Sequence, residues 1–323
     1  MKLWASCALS MLAAYVAMAH PGPRPHLALQ ARALAAASSL KQPKSLTDLP
    51  PLYTLSESKR KEMRSRLLCL LKRNLDLSGL RLRSTSEPEG QLLPKVHGTC
   101  AVVSSSGVLK EHSHGKDIDT ADRVIRFNFA PIFGHTEQVG KKDDLRFVNE
   151  KVLDMWNHME RLDMLRNDKT YSASCTLCDM GYHGGVSPNM YVNSVLELNS
   201  YHPEVKMYAS DLKVEFVMKE LLEQLYGLGP SPAGVTTGAV GMAVALSTCD
   251  EVRAYGMAQT QRSDGTAYHY WEPGSPQSTA LHHRSFNAEK DLWRRLAANG
   301  PAEVELTDVA IIPGFSQVQC PAD

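Results

Sequence analysis

From about residue 90 to the C-terminus, short β-branched runs alternate with longer stretches of helical rhythm. Cys100-Ala-Val-Val103, Arg123-Val-Ile-Arg-Phe127, Leu145-Arg-Phe-Val148 and Glu251-Val-Arg-Ala-Tyr255 read as strands. Phe216 to Tyr226 and Gly238 to Thr248 read as helices. A further helix runs from Ala288 to Ala298, capped by Asn287 and stopped at Asn299-Gly300-Pro301. The alternation predicts an α/β fold, with a mostly parallel sheet between helices. Ligands in such sheets sit beyond the carboxyl ends of the strands, which directs attention to Ser104–Gly107 and Asn128.

The chain has 323 residues, enough for one large domain or two small ones with a substantial core. Its 35 basic side chains balance 35 acidic ones. Nucleic-acid binding is therefore disfavoured, because a general polyanion binder shows a basic excess.

After Lys2 the chain is uncharged and apolar as far as Ala19, and Ala17-Met18-Ala19 fits a small-x-small cleavage pattern. Residues 1–19 are thus a signal anchor or a signal peptide. Residues 20–90 read as a stem, rich at first in Ala, Pro and Ser. A basic amphipathic helix near 57–75 places Leu67, Leu68, Leu71 and Leu75 on one side. Its basic face is either a phosphate- or membrane-binding surface or an ordinary solvated face. Residues 91–323 form the main domain.

Two entrances to helices are rich in hydroxyls. Ser104-Ser105-Ser106-Gly107 and Val235-Thr236-Thr237-Gly238 offer O–H and N–H groups either to an anion or simply as helix caps. Asp117-Ile118-Asp119 has the form of a metal–diphosphate motif, but no second ligand cluster accompanies it. It reads as structural, as does Asp143-Asp144. Cys7 lies in the N-terminal apolar run, which leaves six other cysteines. Cys175-Thr-Leu-Cys178 is a local disulfide or a pair of free thiols rather than half a zinc site. No Asn-x-Ser/Thr sequon occurs.

Four stretches, in order, resemble the sialylmotifs of the eukaryotic sialyltransferases. C-A-V-V-S-S-S-G from Cys100, continuing to D-R-V-I-R-F-N-F-A-P at Asp122–Pro131, is similar to the large motif. T-T-G through to A-L-S-T-C-D-E-V-R-A-Y-G, from Thr236 to Gly256, is similar to the small one. His269-Tyr270-Trp271-Glu272 resembles the third motif, and a His ahead of Glu289 the very small one. Ser104-Ser105, Leu67-Leu68-Cys69, A-E-K-D-L at 288–292 and I-P-G-F-S-Q-V-Q-C ending at Cys320 resemble the β-galactoside α2,6 branch. The cysteine pair that this branch carries around its third motif is missing.

The resemblance implies a GT-A-variant, Rossmann-like fold and a metal-independent, inverting transfer of sialic acid from CMP-sialic acid to a galactose-terminated glycan, with α2,6 linkage favoured. CMP brings a monophosphate leaving group already bonded to the anomeric carbon, so no cofactor is expected. Ser105, Ser106, Asn128, Asn149, Thr236, Thr237 and Gly238 fall at donor-binding positions, and His269 and Tyr270 at the departing phosphate. The general base is expected at His283, with His282 the alternative. The family spaces His and Glu five apart, whereas these lie six and seven before Glu289. Disulfides Cys100–Cys249 and Cys69–Cys320 are implied. So is a single-pass type II Golgi membrane protein with a lumenal catalytic domain, or a secreted one if the N-terminus is cleaved. Two rivals remain: the same fold using another CMP-activated acid such as CMP-Kdo, and an inactive membrane-anchored CMP- or glycan-binding protein.

Overall fold

The protein was analysed as a computed structural model. It describes residues 49–75, 81–82, 91–92, 94–149, 170–174, 193–197, 200, 203, 206–209, 213–228, 234–258, 266–273 and 285–321. The N-terminal apolar run, Cys175–Cys178 and both His282 and His283 lie outside the described residues.

In chain order the main elements are α1 (Glu57–Asn74), β1 (Val96–Val103), α2 (Gly115–Thr120), β2 (Arg123–Phe127), β3 (Leu145–Asn149), β4 (Thr170–Ser174) and β5 (Lys206–Ala209). They are followed by α3 (Lys213–Tyr226), α4 (Thr237–Thr248), β6 (Cys249–Tyr255), α5 (Phe286–Leu296), α6 (Pro301–Thr307) and β7 (Val309–Pro313). The seven strands form one sheet in the order β5-β4-β3-β2-β1-β6-β7. All neighbours are parallel except β6 and β7. The expected α/β architecture is therefore present. The antiparallel edge β7 and the strands β4 and β5 were not read from the sequence.

Both faces of the central strands are buried, and the arginines that interrupt β2 and β3, Arg126 and Arg146, are buried with their guanidinium groups hydrogen-bonded. Strands β1, β2 and β3 are accordingly rich in apolar residues. Alternation along a strand divides their side chains between two cores. Cys100, Val102, Ile125 and Phe147 point into one, with α1, α3, α4 and α5 packed over them. Ala101, Val103 and Val124 point into the other, beside Leu109, Ile118, Val139 and Tyr270. Helix α4 is apolar on all sides and correspondingly buried all round. Its Gly241 admits the Phe127 ring so closely that a Cβ there would overlap it.

Helix α1 forms at the expected place, and its leucine face joins the larger core, so it is part of the folded unit. Ser56 caps it through Lys59 N–H. On its basic side, Arg64, Lys72 and Arg73 donate to the carbonyls of Ala297, Val318 and Pro321. Lys72 and Arg73 thus secure the C-terminal tail, and the Cys69–Cys320 disulfide fixes the same pair of segments. The second disulfide, Cys100–Cys249, joins β1 to β6. Both implied pairings are present.

Candidate active site

At the carboxyl ends of β1, β2, β3 and β6 lies a cavity of about 210 Å³. Ser105, Ser106, Asn128, Asn149, Thr236, Thr237, Gly238 and His269 all line it. Eight of the nine donor-binding positions expected from the sequence thus meet in one place. They come from five chain segments, and the topology alone brings them together.

The Ser104–Ser106 turn leaves β1 hydrogen-bonded to β6 through Ser104 N–H and the Tyr255 carbonyl. Ser104 Oγ accepts the Ser106 N–H at 3.1 Å. Gly107 N–H donates to the Tyr268 carbonyl, and Tyr270 N–H donates to the Ser105 carbonyl. A Cβ on Gly107 would overlap the Ala267 carbonyl, so the two segments can meet this closely only with glycine there. The turn leads into a five-residue 3-10 helix, Gly107–Glu111, rather than an α-helix. The Ser105 and Ser106 side chains line the cavity, whereas the Ser106 and Gly107 N–H groups are already engaged. A phosphate cradle of backbone N–H groups, the sequence-based alternative, does not form at these two residues.

Asn128 follows β2 at φ 47°, a left-handed conformation that Asn tolerates better than most residues. Its N–H bonds the Phe147 carbonyl at 2.7 Å, and its carbonyl accepts from Arg146 at 2.6 Å. The buried Arg146 is held in turn by Asp143 at 2.8 Å. Asn128 Oδ1 accepts the Asn149 N–H at 3.1 Å, tying the ends of β2 and β3 together. The amide nitrogen is the end of this side chain left for a ligand. Asn149 is the last residue of β3 rather than the residue after it.

Thr236 caps α4, its Oγ1 accepting the Ala239 N–H at 3.1 Å. Glu289, nearly fully buried, takes the Thr236 N–H at 2.9 Å and the Thr236 hydroxyl at 2.5 Å. It also accepts from Ser285 Oγ at 2.8 Å. One carboxylate thus joins the entrances of α4 and α5. Helix α5 starts at Phe286, with Ser285 in the cap position and without a side-chain capping bond, two residues before the expected Asn287 cap.

His269 reaches the cavity on the segment paired with the serine turn. Its ring stacks on Trp271 at 4.3 Å between centroids and 7° between planes. Its Nδ1 lies 2.8 Å from Glu272 Oε1. Tyr270 is the exception among the expected donor-binding residues. It is fully buried in the second core, its hydroxyl donates to the Pro131 carbonyl at 2.5 Å, and it does not line the cavity. His269 and Tyr270 are directed to different sides of the segment, the first to the cavity and the second into the core. Burial pushes the Tyr270 phenol up to about 12.

The aspartate pairs have structural partners. Asp117 accepts from Tyr255 and Arg253, and Asp119 accepts the N–H groups of Lys141 and Lys142. Asp144 accepts the Val124 N–H. Among the described residues no group of three or more His, Cys, Asp or Glu is placed to hold a metal.

Helix α5 adds residues the sequence reading did not assign. Phe286, Glu289, Lys290 and Trp293 all line the cavity. Their i, i+3, i+4, i+7 spacing sets them on one helix face, a pattern visible in the sequence once the helix start is moved to Phe286.

The family model of glycosyltransferase family 29 (sialyltransferase) matches residues 76–301. Human beta-galactoside alpha-2,6-sialyltransferase 1 is 26% identical over 254 residues, 73% of this chain and 61% of that protein. The Bos taurus beta-galactoside alpha-2,6-sialyltransferase 2 is 26% identical over 279 residues, 80% of this chain and 55% of its own. The chain spans about half to three-fifths of the length of these relatives. A crystal structure of a mammalian sialyltransferase is 20% identical, covering 79% of this chain and 92% of its own, with a TM-score of 0.38. With more than half of its residues matched by that family model, the chain belongs to glycosyltransferase family 29, the sialyltransferases.

Proposed function

We propose that this protein transfers sialic acid from CMP-sialic acid to a galactose-terminated glycan, with inversion and without a metal cofactor. The observation that carries this reading is the convergence of Ser105, Ser106, Asn128, Asn149, Thr236, Thr237 and His269 on one cavity at the strand ends. Hydroxyls and amides suit the ribose and cytosine edges, which need both donors and acceptors. His269, at the cavity beside Glu272, is the residue we assign to the departing phosphate. The acceptor hydroxyl is deprotonated by His283, or by His282, in the segment leading into α5. Both relatives carry α2,6 in their names, which favours that linkage here. The apolar N-terminal run supports a Golgi membrane anchor, with the catalytic domain in the lumen.

The deciding experiment is transfer from labelled CMP-sialic acid to a glycan array, with EDTA present and linkage analysis of the products. Sialylated galactosides are the expected result. Transfer only from CMP-Kdo, or CMP binding without transfer, would favour one of the two rivals. Loss of activity in EDTA, restored by Mn²⁺ or Mg²⁺, would overturn the metal-free mechanism.

Asn128 provides a test of donor binding. Asn128→Gly removes the amide while keeping the left-handed backbone accessible. It should weaken CMP and CMP-sialic acid alike by about 1–3 kcal/mol, the cost of leaving a polar partner unmet. Calorimetry showing unchanged CMP affinity would take Asn128 out of the site.

A further inference from the structure

Lys290 has no part in the mechanism above. It sits on the cavity-facing side of α5, between Phe286 and Trp293, with its Nζ 4.5 Å from the centroid of the Phe286 ring. Among the described residues this ammonium has neither a hydrogen-bonding partner nor an ion pair. The adjacent carboxylate of Glu289 is directed to Thr236 and Ser285. The other polar groups described above for this cavity are neutral hydroxyls and amides, together with His269.

An unpaired, half-buried cation is costly to hold, and an anion entering the cavity removes that cost. Burial pushes the Lys290 ammonium down to about 8, and Arg294 on the same helix acts in the same direction. Glu289 and Asp308, the latter from the turn before β7, oppose it. The side chain therefore remains mainly protonated at neutral pH.

We propose that Lys290 is the donor-binding cation of this cavity, pairing with an anionic oxygen of the nucleotide sugar. The inference rests on the CMP-sialic acid reading above. That donor carries two anions, a phosphodiester-type phosphate and the carboxylate of the sugar.

The test compares the full chain with its Lys290→Met and Lys290→Arg variants, measuring the affinities of cytidine, CMP and CMP-sialic acid and the melting of the ligand-free proteins. Lys290→Met should weaken CMP-sialic acid by about 10- to 100-fold, as expected for a charge-assisted hydrogen bond, and leave cytidine within about twofold. Lys290→Arg should recover most of the loss. An equal fall for CMP assigns the pairing to the phosphate, and a fall confined to CMP-sialic acid assigns it to the carboxylate. Ligand-free Lys290→Met should melt at or above the wild-type temperature, because it discards an unpaired cation. Unchanged binding of both nucleotides in Lys290→Met, or a parallel loss for cytidine, would overturn the proposal. A wild-type chain that binds neither CMP nor CMP-sialic acid would overturn the functional reading itself, and this inference with it.

Discussion

Replacing His283 with alanine should lower kcat by about 10²–10⁴-fold, the usual worth of a positioned general base. CMP affinity should stay within about twofold, because the nucleotide contacts assigned above lie on other segments, from Ser105 to His269. Imidazoles in general titrate near pH 6.5, which is why histidine suits removal of a sugar hydroxyl proton near neutral pH. His282→Ala should be much milder. The two variants belong in one assay, since both residues precede α5 by only a few positions. A severe loss confined to His282→Ala would move the base by one residue. Near-normal turnover in both single variants and in the double variant would rule out a histidine base here.

The second large effect concerns the Cys100–Cys249 disulfide. Its two cysteines are 149 residues apart in sequence and join neighbouring strands that carry parts of the site. In the chain-entropy model, closing so long a loop stabilises the fold by about 5 kcal/mol. The whole stability of a domain is on the order of 5–15 kcal/mol. Cys100→Ser/Cys249→Ser should therefore melt about 10–20 °C lower, at about 2–4 °C per kcal/mol for a domain of this size. Removing both thiols together avoids leaving a reactive cysteine behind. A drop of under about 3 °C would mean that the bridge is thermodynamically idle. The stability it supplies would also be lost in a reducing compartment.

How much of this was legible in the sequence follows from how each feature is encoded. Strands β1, β2 and β3 announced themselves through their β-branched and aromatic residues, although β2 and β3 each also bury an arginine, Arg126 and Arg146. The strands β4 (TYSAS) and β5 (KMYA) lack the Val, Ile and Phe of those strands, and β7 reads only as the tail of a helix–turn unit. The hydroxyl-rich entrances at Ser104 and Thr236 were visible, but the engagement of the Gly107 N–H depends on the 266–273 segment, over 150 residues away. Tyr270 misled because motif position does not say which side of the chain a residue faces. Lys290 was overlooked because the helix was begun at Ala288, which hid its alignment with Phe286 and Trp293.

The Glu289 tie has a consequence for how such an enzyme can be re-engineered. Because one carboxylate fastens the start of α5 to the cap of α4, these two walls of the cavity keep a common reference point. Residues added or removed upstream of Ser285 change the length of the approach to that point without moving it. The extra residue between the histidine and Glu289 is an edit of this kind. A replaced approach should therefore leave the two helix entrances joined, whereas editing Glu289 should loosen both at once.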